Sequence, residues 1–354
     1  MSNITDAPVH QSAKRPSLGT PSWAAGIPSS FTRTGRTSAR EVLATATTLA
    51  VFALLFVLTA FPVRAADNVV RIGFQKYGTL VLLKSKGLLE EKLKPLGYTV
   101  EWTEFPAGPQ LLEALNVGAI DYGTTGEAPP IVAQAAGAPL VYVGYEPPAP
   151  SGEAILVPAD SQLKTVADLK GKNVALNKGS NVHYLLVKAL EKAGISYSDI
   201  EISFLPPADA RAAFEKGAVD AWVIWDPFLA AAEAATGART LTDGQGIVEN
   251  HQFYLSSRSF AEAHPDIVNV IYDSLGEVDA WVRSNPGEVA AQFSPALGIP
   301  APILEVAVGR QAYGIKPIDD DVVAKQQKIA DTFFELGLIP NPIKIADAVR
   351  RPQS

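Results

Sequence analysis

Apolar residues in this chain recur in two rhythms that alternate at regular intervals. Val182, Leu185, Leu186, Ala189 and Leu190 fall at i, i+3, i+4, i+7 and i+8, the stripe of a helix with one face in a core. Just before it, residues 172–178 (KNVALNK) form a short apolar run ending in an amide and a lysine, which reads as a buried strand. Residues 71–76 (RIGFQK) have the same form, and a helical pattern follows them over 80–93. QLLEALNVGAIDY (110–122) and ARAAFEKGAVDAW (210–222) each give an amphipathic helix, a glycine stop and a short strand opening at an aspartate. Gly118-Ala119-Ile120-Asp121 and Gly217-Ala218-Val219-Asp220 align at an offset of 99, which also carries Gly126-Glu127 onto Trp225-Asp226.

The chain therefore repeats its own plan. Two successive β-α-β-α-β units of about a hundred residues predict an α/β protein with a mainly parallel sheet in each unit. Residues 153–158 are the expected outward strand between the units, and 253–257 the expected return strand. Two connecting strands make a hinge between two lobes. Residues 259–338 are dominated by helical patterns, at 267–284, 288–297 and 320–336 among others. The return strand brings these helices back to the first unit. Lobe one is accordingly expected at 67–153 plus 252–354, and lobe two at 154–251, sizes within the usual domain range.

The first stretch breaks this pattern. Residues 1–40 are rich in Ser, Thr, Pro and Gly, with Lys14, Arg15, Arg33, Arg36 and Arg40 as their basic residues. An uncharged apolar run follows over 42–63, and then Arg64-Ala65-Ala66-Asp67. Basic flank, apolar run and small-residue site together describe an export signal over 1–66, with cleavage after Ala65 or Ala66. Its basic region is unusually long, which an over-extended start explains. The competing reading is an uncleaved membrane anchor, since the run is long enough to span a bilayer. Thr45, Thr47, Thr48 and Thr59 with Pro62 weaken it as a span. On either reading the globular part lies outside the cytoplasmic membrane, and the first predicts a periplasmic protein.

Composition then narrows the chemistry. With 47% hydrophobic and 19% charged residues over 354, the chain folds. There is no cysteine, so disulfides, thiol nucleophiles and thiolate metal sites are excluded. The histidines, four in all, lack H-x3-H or HExxH spacing, so no His-based metal site is expected. The net charge of −7, near −11 once the leader is removed, argues against nucleic acid as a partner. No G-x-S-x-G elbow, P-loop or dinucleotide-binding glycine pattern occurs, so neither a catalytic residue nor a cofactor is expected.

Ligands of open α/β sheets bind at the carboxyl ends of strands, beside the starts of the following helices. Four loops qualify: 75–79, 124–127, 177–183 and 225–228. In the third, Gly179 permits a tight turn and Ser180 suits the N-cap of a helix starting at Asn181. Such a start offers free N–H groups and the positive end of the helix dipole, enough to hold an anion without arginine. Thr124-Thr125-Gly126-Glu127 repeats the arrangement in the first unit. Each alone is an ordinary capped helix; two facing one cleft point to a ligand. Gln75 is either a turn amide bonded to its own backbone or a donor to the ligand. His183, off the apolar stripe, is either a solvated histidine or a donor to ligand oxygen. Trp225 is core packing or a cleft wall. Glu127 and Asp226 sit awkwardly beside an anion; helix N-terminal interactions, a ligand ammonium or a partner on the opposite lobe would each account for them.

In order along the chain, Arg71-Ile-Gly-Phe-Gln-Lys76, the stretch from Thr125-Gly-Glu-Ala-Pro-Pro to Gly137, Lys178-Gly-Ser-Asn-Val-His183, and residues 207–228 ending VDAWVIWDPF resemble the aliphatic sulfonate-binding proteins of ABC importers. The likeness covers roughly residues 69–338. It implies a type 2 periplasmic-binding-protein fold whose two lobes close over a small organic sulfonate. It also implies delivery to a permease in the cytoplasmic membrane, a monomer and no turnover. Related families with this plan carry taurine, nitrate or pyrimidine precursors, and Thr124 stands at a position that varies among them. A membrane-anchored sensor domain is a further alternative. An enzyme on this fold needs a cofactor lysine or a poised acid, and the sequence presents neither.

Overall fold

In the computed structural model, residues 68–350 are described; the leader and its cleavage site lie outside them. Two five-stranded sheets organise the chain. The first contains β1 (Val69–Phe74), β2 (Thr99–Glu104), β3 (Tyr122–Gly126), β4 (Leu140–Tyr145) and β10 (Gln252–Ser257), in the order β2-β1-β3-β10-β4. The second contains β5 (Glu153–Val157), β6 (Asn173–Leu176), β7 (Glu201–Phe204), β8 (Ala221–Trp225) and β9 (Arg239–Asp243), in the order β7-β6-β8-β5-β9. Each sheet has one antiparallel member, β10 in the first and β5 in the second. These are the two strands read from the sequence as the connections between the units.

The repeat has a physical basis. Asp121 Oδ2 accepts from the backbone N–H of Arg71 at 2.9 Å, and Asp220 Oδ2 accepts from that of Asn173 at 2.9 Å. In both sheets the aspartate ahead of the third strand ties down the start of the first. Gly118 and Gly217, at φ 72° and 67°, adopt the left-handed turn that ends each preceding helix.

Helices α1 (Gly78–Lys86), α2 (Leu88–Leu93), α3 (Gly108–Asn116) and α4 (Ala128–Ala135) belong to the first unit. The single helix expected over 80–93 is two, because Gly87 at φ 65° ends one and begins the next. The second unit carries α5 (Asn181–Lys192), α6 (Pro207–Glu215) and α7 (Phe228–Thr236). Then follow α8 (Arg258–Ala263), α9 (Pro265–Ser284), α10 (Pro286–Leu297), α11 (Ala301–Arg310) and α12 (Asp320–Glu335). No single helix among the described residues is long and apolar enough to cross a membrane.

Two cores result. Val70, Ile72, Leu80, Leu83, Leu89, Ile267, Ile271 and Leu275 fill the space between the first sheet and helices α1, α2 and α9. The larger core runs from the opposite side of that sheet into the second one, through Ile131, Tyr142, Leu185, Trp222 and Phe333. The C-terminal helices thus touch both units. Helix α9 packs on α1 and α2, while α11 reaches α7, where Arg310 pairs with Glu233 at 2.8 Å and Asp226 at 3.5 Å.

The two crossings between the sheets run side by side. Ala149 N–H donates to the Glu249 carbonyl at 3.0 Å, and Gly244 N–H to the Pro150 carbonyl at 3.0 Å. A Cβ on Gly244 would lie 2.5 Å from that same carbonyl oxygen, so only glycine lets the strands approach. Asn250 sits at φ 53° and donates from its side chain to the Ala149 carbonyl at 2.8 Å. Asparagine tolerates that left-handed backbone better than most residues.

Candidate ligand-binding site

Strands β3 and β8 end at Gly126 and Trp225, the pair that the offset of 99 relates, and both line one small cavity. Tyr77, Gly152, Asn181, Asn250, Gln252 and Gln311 complete its wall. Every polar side chain there is neutral. The cavity is tight, about 10 Å³, close to what one water needs. Asn181 is the reason: a Cβ on Gly126 would fall 2.8 Å from the Asn181 Cγ. Asn181 follows β6 of the second sheet and Gly126 ends β3 of the first, so the two units meet here.

Asn181 is held from behind. Its Nδ2 donates to Glu153 Oε2 and to Asn250 Oδ1, the latter at 3.1 Å. The Trp225 Nε1 is buried without an acceptor, while its ring meets Phe228 edge-on at 6.3 Å. Tyr77 OH accepts from Gln75 Nε2 at 3.3 Å. Gln252 Nε2 donates to Gln311 Oε1 at 2.5 Å and so ties β10 to the loop after α11.

The other expected residues lie nearby in different roles. Gln75 does not cap its own turn: its Nε2 also donates to the Thr124 carbonyl at 3.0 Å, joining the ends of β1 and β3. Thr125 Oγ1 donates to the Gly126 carbonyl at 2.9 Å. The helix start after it is poorer in donors than expected. Helix α4 begins at Ala128, and Pro129 and Pro130 remove two of its first N–H groups. Ser180 does occupy the N-cap position of α5, yet its hydroxyl makes no cap bond and donates to the Asn177 carbonyl at 2.7 Å. Ser180→Ala is therefore expected to lower stability by about 1 kcal/mol, the worth of one neutral hydrogen bond, in urea unfolding.

His183 is neither solvated nor in this cavity. It is 1% exposed, with Nδ1 accepting from Gly179 N–H at 3.2 Å and Nε2 2.6 Å from Tyr197 OH. Phe204 and Phe333 close over it, and burial pushes its pKa down to about 4. It lines a separate groove with Asn177, Lys178 and Gly179.

The two awkward carboxylates are buried. Glu127 Oε2 accepts from His251 N–H at 3.0 Å, its Oε1 has no partner, and burial raises its pKa to about 7. Glu153, which the sequence did not single out, is pushed well above the carboxylate range by burial and then by Glu127. Asp226 Oδ1 accepts from Ala230 N–H at 3.0 Å, capping the first turn of α7, and pairs with Arg310. Burial outweighs that pairing and raises its pKa to about 6. Burial thus takes these acids toward their neutral forms beside the cavity. Among the described residues no group of three His, Asp or Glu stands close enough to hold a metal ion.

The NMT1-like family matches residues 65–293. The aliphatic sulfonates-binding protein of Escherichia coli (strain K12) is 46% identical over 307 residues, covering 86% of this chain and 96% of that protein. Among solved structures, the alkanesulfonate-binding protein SsuA of Xanthomonas axonopodis pv. citri bound to MOPS superposes with a TM-score of 0.78 at 43% identity. That match covers 81% of this chain and 99% of the other. The periplasmic aliphatic sulphonate binding protein SsuA of Escherichia coli gives 0.74 at 46% identity, covering 82% and 94%.

Proposed function

The chain belongs to the NMT1-like family, and from that membership and the geometry of its cavity we propose that it is a solute-binding protein for small organic sulfonates. It takes the ligand between two lobes outside the cytoplasmic membrane and hands it, unchanged, to the permease of an ABC importer. One observation carries this reading: a small cavity where two sheets meet, walled by Tyr77, Asn181, Trp225, Asn250, Gln252 and Gln311 with no cation among them. A sulfonate has one delocalised charge and three acceptor oxygens. Neutral donors suit an anion that must be given up again, because no buried arginine is left without its partner on release.

The roles follow from position. Trp225 Nε1–H, buried without an acceptor, donates to a sulfonate oxygen. The Asn181 side chain, held by Glu153 and Asn250, closes over Gly126. Gly126 allows the head group to lie against backbone, and Gln75, Thr125 and Ser180 hold the surrounding loops. Glu127 and Asp226 act from behind, one on the 250–252 segment and one on α7. His183 shapes its loop and does not touch the ligand. The lobes are 67–153 with 252–354 and 154–251, hinged at the paired crossings around Ala149 and Asn250. The free space is smaller than a sulfonate, so the lobes part to admit it and close on it. The protein is a monomer, made with a signal over 1–66 that is removed on export to the periplasm.

Trp225→Phe keeps the ring packing and removes the donor. It is expected to weaken sulfonate binding about tenfold, the range for a hydrogen bond to a charged acceptor, in calorimetry with an alkanesulfonate. Equal affinity in this variant would move the head group elsewhere. Heat with alkanesulfonates and none with nitrate would support the reading; the reverse would sink it.

A further inference from the structure

Three carboxyl groups border the small cavity, and each belongs to the residue after one that lines it. Gly126, Gly152 and Trp225 are in its wall; Glu127, Glu153 and Asp226 follow them in the chain. All three acids are 0–1% exposed. Each has one oxygen bonded to an N–H and the other buried with no partner. Glu127 Oε2 accepts from His251 N–H, Glu153 Oε2 from Asn181 Nδ2, and Asp226 Oδ1 from Ala230 N–H. The bare atoms are Glu127 Oε1, Glu153 Oε1 and Asp226 Oδ2. A buried carboxylate oxygen without a partner is costly, and a proton on it removes the charge.

The three differ in what faces them. Asp226 has Arg310 beside it, with Glu233 and Tyr313 nearby, so part of its charge is compensated. Glu153 faces Tyr77 and Glu127, whose charge opposes its own. Glu127 faces Glu153, Glu249 and Tyr184, and lines a second pocket with His251, Lys325 and Lys328. Burial holds the His251 ring toward its neutral form. Glu153 is therefore neutral with or without a ligand, while Glu127, at about 7, stands at the balance point.

We propose that the sulfonate binds together with a proton, which moves from solvent to the bare oxygen of Glu127 as the anion fills the cavity. This inference rests on the sulfonate reading above. A sulfonate stays ionised at every pH at which proteins fold, so it brings no proton of its own. Once in the cavity it lies one residue from three acids, and like charges at that range disfavour each other. A proton on Glu127 Oε1 relieves this, and the closing cleft then gains no net charge. Asp226, held by Arg310, contributes less. Loss of the proton acts in reverse, so acid favours capture and alkali favours release.

The experiment is calorimetry with butanesulfonate in phosphate and in imidazole buffer, neither of them a sulfonate, whose heats of ionisation differ widely. The dependence of the observed heat on the buffer counts the protons exchanged. About half a proton should be taken up per ligand near pH 7, and close to none near pH 5, where Glu127 is already neutral. Affinity should fall about tenfold from roughly pH 5.5 to pH 8, matching a tenfold gain in the proton affinity of Glu127 on binding. Glu127→Gln fixes a neutral group there and should cut the uptake at neutral pH by at least about half. Heat independent of the buffer in the unaltered protein, or protons released, would overturn the proposal whatever the variant does. An uptake unchanged in Glu127→Gln would put the proton on another group and overturn it as well. Failure of the unaltered protein to bind butanesulfonate at either pH would instead remove the reading on which the inference rests.

Discussion

Gly126→Leu is expected to abolish sulfonate binding, with affinity falling at least about 100-fold, or roughly 2.7 kcal/mol. Gly126 ends β3 against Asn181 from the opposite sheet, and even a methyl group there would come within 2.8–3.0 Å of three Asn181 side-chain atoms. Asn181 cannot easily withdraw, because Glu153 and Asn250 both accept from its Nδ2. The collision lies between two lobes and not within one core, so the lobes yield first. The variant should unfold close to the unaltered protein on heating, show a larger radius of gyration in small-angle scattering, and give no heat with alkanesulfonate. Gly126→Ala should show the same trend in weaker form. Retained affinity in Gly126→Leu would place the ligand away from this contact.

The second large effect concerns pH. Glu127 has an ordinary value of 4.5 in the unfolded chain and about 7 in the fold, where burial dominates over its bond from His251 N–H. The folded state therefore binds the proton more tightly than the unfolded state between these values, and stability falls as pH rises through that window. Below about 4.5 the penalty is absent; above about 7 it is complete. Its size is about 3 kcal/mol, from roughly 1.4 kcal/mol per unit. Glu153 and Asp226 shift in the same direction and add to the slope. Urea unfolding should give a lower free energy at pH 8 than at pH 5. Glu127→Gln, which keeps an acceptor for His251 and carries no charge, should flatten part of that difference. An unchanged pH dependence in the variant would show that Glu127 does not carry the penalty.

Much of the architecture was legible because it recurs. The offset of 99 picks out Asp121 with Asp220, which make the same strand-anchoring bond, and Gly126 with Trp225, which line the same cavity. The antiparallel strands β5 and β10 were legible as apolar runs with no helix to pair them. What stayed hidden comes from distant parts of the chain. Asn250, Gln252 and Gln311 reach the cavity from a crossing and from the end of a tail helix, with no motif to mark them. The burial of His183 was hidden for a related reason: its position on α5 faces away from that helix's own stripe, but Phe333 of α12 covers it. Periodicity reports one helix's core face and cannot report a cover supplied 150 residues later. Ser180 sits where a cap belongs, but its hydroxyl has a nearer acceptor in the Asn177 carbonyl.

Strand β10 lies between β3 and β4, and Thr124 Oγ1 donates to the carbonyl of Phe253, 129 residues further along the chain. The first sheet is thus assembled around a strand that is made last. While a nascent chain lacks residue 252 onward, β3 and β4 have no common neighbour, whereas all five strands of the second sheet are already present. Long-range pairings of this kind form slowly, because the intervening loop must close before any bond rewards it. On the export route proposed above, the pairings of β10 with β3 and β4 that complete the first sheet can form only after residues 252–257 have been made.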